Sequence, residues 1–187
     1  MDITRNDINN DIKMLSDSVA DMDRPLVSPR KALKLALFWP GICVLGYTVA
    51  VVWMIVTFVP SHNFGMLSIS GLVGNFFVAA IGALFALGFG LGFYGPALMY
   101  LTIPEDIRNK SIIITRLKRL AKKVWTFFLV CHFALALFSC FYRDAIYGMI
   151  PLVFLSFFIT QSIISAEIGR YGIAPAMEKM VSLARKV

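Results

Sequence analysis

The sequence predicts an all-α polytopic membrane protein with four transmembrane helices, an N-terminal amphipathic helix and a basic elbow helix, both termini being cytosolic. Three observations lead there. Of 187 residues, 58% are hydrophobic and 16% charged, a balance too apolar for a soluble domain. The apolar excess is gathered into four blocks, about residues 35–59, 71–101, 124–142 and 146–166. The cations are sorted between the blocks: residues 1–34, 102–123 and 167–187 hold 17 Lys/Arg, and the two remaining connections hold only Arg143. Cations beside spans stay on the cytosolic side, so an even number of spans puts both ends there.

Residues 1–34 form a cytosolic segment, an amphipathic helix followed by a basic linker. Ile8, Ile12, Leu15, Val19 and Met22 make one stripe at helical spacing. Thr4 with Asp7 resembles an N-terminal cap, and Asp23-Arg24-Pro25 ends the helix. Residues 1–27 are acidic, with six Asp against three cations, whereas the rest of the chain is strongly basic, giving +7 overall. The stripe has two readings: it docks on the chain's own elbow or a sister subunit, or it binds a partner. Its acidic face disfavours direct docking on anionic lipid.

Arg30, Lys31 and Lys34 precede the first block, whose 25 residues reach about 37 Å as a helix and cross a ~30 Å hydrocarbon core with some tilt. It starts too late and runs too long for a cleaved signal peptide. Pro40 lies in its first two turns, at headgroup level, where a proline is tolerated. Pro60 to Ser70 is a loop without Lys or Arg. The second block has about 31 residues and exceeds the hydrocarbon thickness, so a bend is expected where Gly88, Gly90, Gly92 and Gly95 precede Pro96.

The elbow, 102–123, carries seven cations against Glu105 and Asp106. Thr102 and Glu105 match a capping box with Pro104 in the first turn, so a new helix is expected to begin there. Its Ile107, Ile114, Leu117 and Leu120 suit the membrane face while the cations meet lipid phosphates. The third and fourth blocks are joined only by Arg143-Asp144-Ala145, a tight antiparallel hairpin. Residues 167–187 form a cytosolic tail.

Candidate residues follow from the polar and small positions inside the blocks. Gly74, Gly82, Ala86 and Gly90 fall on a four-residue grid, and Gly88 with Gly92 makes a second small pair. Such spacing lets helices approach closely, either within the chain or in a homo-oligomer. Gly90-x-Gly92-x-x-Gly95 matches a dinucleotide fingerprint as a string, but no strand precedes it. His132 has two readings, a proton or ion path and a hydrogen bond to Gln161 that holds the hairpin. Asn75 reads as interhelical glue. The three cysteines suit small hydrophobes in spans better than a disulfide framework or zinc site. No nucleophile with a base, paired carboxylates or metal cluster is legible, so neither enzymatic activity nor a cofactor is expected. A basic module with base-stacking aromatics is missing too, which argues against direct nucleic-acid binding.

The run Ile3-Thr4-Arg5-Asn6-Asp7-Ile8, the Pro29-Arg30-Lys31-Ala32-Leu33-Lys34 entry, the four blocks and the central basic elbow resemble the TraS-type entry-exclusion proteins of F-like conjugative plasmids. The resemblance is one of layout along the whole chain. It implies a non-enzymatic protein of the recipient's bacterial inner membrane that blocks redundant DNA transfer by recognising a donor component, the TraG-type protein. Two other classes stay open: an immunity protein against a pore-forming bacteriocin, and a small transporter or channel subunit using His132, Gln161 and Asn75. On the outer side, His62, Asn63, Phe64, Arg143 and Asp144 are the handles for a partner; the cytosolic elbow and N-terminal helix offer more surface.

Overall fold

A computed structural model describes residues 4–20, 27–57 and 65–170, all of them helical or in short connections. The order is α1 (Arg5–Ala20), α2 (Pro29–Val56), α3 (Gly65–Gly92), α4 (Tyr94–Thr102), α5 (Glu105–Lys110), α6 (Ile112–Phe141), a 3-10 segment (Arg143–Gly148) and α7 (Met149–Arg170). The chain is thus all-α. Among the described residues, four helical stretches are long and apolar enough to cross a membrane: Pro29–Val56, Val73–Thr102, Ile112–Phe141 and Arg143–Arg170. Their outward residues agree, since Leu45, Val49, Leu84, Phe127, Val130, Leu137 and Phe141 are all exposed. Water solvates such a surface poorly and hydrocarbon solvates it well.

The chain divides into two compact units. The first takes residues 1–36, 92–124 and 159–187, and the second 37–91 and 125–158. The core of the second unit is built from Tyr47, Ala50 and Met54 of α2, Ala86 of α3, Ala136 of α6, Ile146, and Met149 and Val153 of α7. Small residues set how closely its helices approach. A Cβ on Gly90 would lie 2.9 Å from Leu37 Cδ2 and 3.0 Å from Pro40 Cγ, and one on Gly82 would lie 2.7 Å from Met149 Sδ. A Cβ on Gly74 would lie 3.2 Å from the Tyr147 hydroxyl, and Ala86 is buried in the same core. The grid therefore faces helices of its own chain. Gly88 and Gly92 are exposed, and a Cβ on Gly88 would meet nothing within 4 Å. Aromatic rings complete the packing: Phe89 stacks on Phe157 at 4.4 Å, and Trp39 lies parallel to Trp125 at 6.4 Å.

Several boundaries differ from the sequence reading, each for a local reason. The first long helix starts at Pro29, not at residue 35, with Ser28 accepting the first backbone bonds from Lys31 and Ala32. Proline is pre-set for that first position, so Arg30, Lys31 and Lys34 are helical. The second span is interrupted at Phe93, whose ψ of 0° leaves the helical region. Pro96 cannot donate to the Gly92 carbonyl and its ring crowds that oxygen, so the ladder opens four residues upstream of the proline. The elbow is not one helix from residue 102. Thr102 ends α4 and its hydroxyl bonds back to the Leu98 carbonyl at 2.7 Å, so no capping box forms. Pro104 is extended and lies just ahead of α5. After six residues α5 stops, and α6 then runs unbroken from Ile112 to Phe141. Arg116, Lys118, Arg119, Lys122 and Lys123 are thus the first turns of the same helix that forms the third span.

Candidate functional site

In the first unit, α1 is seated on the elbow. Its N-terminus is closed by Thr4 and Asp7 reciprocally: Asp7 Oδ2 accepts from the Thr4 backbone N–H at 3.0 Å and its hydroxyl at 2.6 Å, while Asp7 N–H donates to Thr4 Oγ1 at 3.2 Å. The Thr4 hydroxyl, then the Thr4 N–H, hold the Asp7 carboxyl below the ordinary aspartate value of 3.8. The buried face of α1 is Asp11, Leu15 and Ser18, with Ile8 and Ile12 half-buried. This face is rotated from the all-apolar stripe, because a carboxylate sits at its centre. Met22 and the Asp23-Arg24-Pro25 stop lie outside the described residues, as does the tail from residue 171.

Asp11 is 6% exposed and does specific work there. Its Oδ2 accepts from the Ser111 hydroxyl at 2.9 Å and from the Ile113 N–H at 2.8 Å. Ser111, immediately before α6, in turn accepts the Ile114 N–H on its own Oγ at 3.1 Å. Two of the otherwise orphaned donors at the start of α6 are thereby satisfied, one by the local serine and one by a carboxylate from another helix. The negative charge also lies at the positive end of the α6 dipole. Beside it, Leu15 packs with Met99 and Ile103, flanked by Ile107 and Ile114. Arg108 lies 4.7 Å over the Tyr100 ring, a cation–π contact, with its Nε enclosed and without a hydrogen-bond partner among the described residues.

In the second unit, His132 is 4% exposed and joins three helices. Its Nδ1 lies 3.1 Å from the Tyr47 hydroxyl on α2, and its Nε2 a long 3.5 Å from Ser156 Oγ on α7. Ser156 donates onward to the Val153 carbonyl at 2.8 Å. One assignment satisfies the row: Tyr47 donates to Nδ1, Nε2–H donates to Ser156, and Ser156 donates to backbone. The expected bond to Gln161 is corrected by this geometry. Tyr47 and Ser156 hold the imidazole, and Gln161 is exposed. Ser156 lies five residues before Gln161 on α7, about one and a half turns away, and a short seryl hydroxyl in an apolar run gives less sequence signal than an amide.

The remaining candidates are placed as follows. Asn75 is 4% exposed and its Oδ1 has no hydrogen-bond partner among the described residues. Asp144 is exposed and Arg143 half-buried in the 3-10 turn. His62, Asn63 and Phe64 lie outside the described residues. Cys43 is buried, and Cys131 and Cys140 are half-buried free thiols. Comparison with protein-family models, with curated proteins and with solved structures finds no match.

Proposed function

We propose that this chain is a non-enzymatic entry-exclusion protein of the bacterial inner membrane, with both termini cytosolic, and that its α1–elbow surface makes the functional contact. The observation that carries the reading is the seat of α1. A carboxylate buried on the elbow gives this terminal helix one fixed register, which is what a recognition surface requires and a mere solvated leader does not. The charge asymmetry supports the orientation. The layout shared with TraS-type proteins supports the class, with a TraG-type donor protein as partner and self-association within the membrane as a further expectation. The engaged state of His132 favours recognition over conduction, because its hydrogen bonds end on a helix carbonyl.

The test is mating frequency into recipients that express the protein, using matched and unmatched F-like donors. Exclusion lowers transfer from matched donors alone. Unchanged transfer from every F-like donor, with the protein present in the membrane, refutes the assignment.

A further inference from the structure

We propose that Lys118, Arg119, Lys122 and Lys123, in the first turns of α6, bind an anionic phospholipid whose headgroup carries two phosphates. All four are exposed, and none makes an ion pair or hydrogen bond among the described residues. No Asp or Glu occurs on α6, so the helix itself does not neutralise them. The side they occupy is the side that meets lipid. Because α6 is one unbroken helix, about five turns separate Arg119 from Leu137 and Lys123 from Phe141, which sets each pair on one side. Leu137 and Phe141 are exposed, whereas Phe128, His132 and Ser139 on the other side are buried.

Depth along the helix agrees. Lys123 and Phe141 are about 27 Å apart along the axis, close to the ~30 Å of a hydrocarbon core. With Phe141 at one boundary, Lys122 and Lys123 reach the other, and Lys118 and Arg119 lie a turn farther out, at phosphate level. Trp125, parallel to Trp39, falls at the same boundary, where aromatic belts form. Spacing then selects the headgroup. Residues four apart are neighbours on a helix, so the cations form two adjoining pairs, Lys118 with Lys122 and Arg119 with Lys123, each repelling itself. One phosphate relieves one pair. A headgroup with two relieves both, and its second contact is intramolecular. A soluble polyanion brings the charge but nothing to lie on exposed Phe127 and Val130, which continue the stripe; acyl chains do.

The experiment is native mass spectrometry of the purified full chain released from neutral detergent. The probes are cardiolipin with two phosphates, phosphatidylglycerol with one, and zwitterionic phosphatidylcholine. The expected result is one cardiolipin retained, with phosphatidylglycerol roughly tenfold weaker and phosphatidylcholine weaker still. Arg119→Gln with Lys122→Gln breaks both pairs and is expected to weaken cardiolipin roughly thirtyfold. Lys13→Gln with Lys110→Gln removes the same charge from exposed positions on α1 and α5 and is expected to change it by no more than about twofold. Circular dichroism checks that both double variants are folded. Equal losses in the two double variants would show attraction to net charge alone and overturn the proposal. So would equal retention of cardiolipin and phosphatidylglycerol, or no retention of either. Inorganic pyrophosphate held as tightly as cardiolipin would also overturn it, and assign the cations to a soluble polyanion.

Discussion

At the scale of single residues, two buried polar side chains organise the molecule, and both act at a distance along the chain. Asp11 caps a helix that begins about a hundred residues later. Removing it strands the Ile113 N–H and the Ser111 hydroxyl, so Asp11→Ala is expected to cost about 2 kcal/mol. Hydrogen exchange reads this directly. Protection of α1 and of the Ile113 amide falls some tens of fold in Asp11→Ala, and unchanged protection would exclude the cap as what holds α1. His132 is tested through its partner. Tyr47→Phe deletes one interhelical hydrogen bond and is expected to cost about 0.6 kcal/mol, the mean for such bonds within membranes, and at most about 1.7 kcal/mol. Proton flux unaffected by His132→Ala, alongside that loss of stability, is the outcome for a structural imidazole; abolished flux would make it a relay. The intramembrane histidine was legible in the sequence as one polar group among apolar neighbours. Asp11 was not, because reading a stripe for its apolar members skips the one carboxylate on the same face, and a cap from another helix leaves no mark at local spacing.

At the scale of elements, the four spans were legible because twenty or so apolar residues in a row admit few alternatives to a membrane helix. Their ends were less so. Helix starts at Pro29 and Ile112 lie inside basic segments, where polarity suggests a linker although Pro29 after Ser28 and Ser111 before a triple isoleucine are good starting signals. The glycines show the same split between pattern and surroundings. Spacing alone puts Gly88 and Gly90 on equal terms, yet only Gly90 lies against Leu37 and the rigid ring of Pro40. Gly90→Ala is therefore expected to destabilise by about 1–3 kcal/mol through overpacking. Gly88→Ala is expected to be neutral, or stabilising by up to about 1 kcal/mol from helix propensity. Unfolding of the two variants in mixed micelles compares them. Equal effects would show that the grid does not set the distance between these helices.

At the scale of the whole molecule, the α1–elbow surface is the contact proposed for a partner. The other handles are smaller: Asp144 is exposed in a six-residue turn, where a change to Ala disturbs no described hydrogen bond. The two sites thus separate the readings. The most direct measurement is the mating frequency of a matched F-like donor into recipients expressing the unaltered protein, Asp11→Ala or Asp144→Ala at equal membrane levels. Exclusion lost in Asp11→Ala and kept in Asp144→Ala is the predicted result. Exclusion kept in Asp11→Ala and lost in Asp144→Ala would contradict it and move the contact to the hairpin turn.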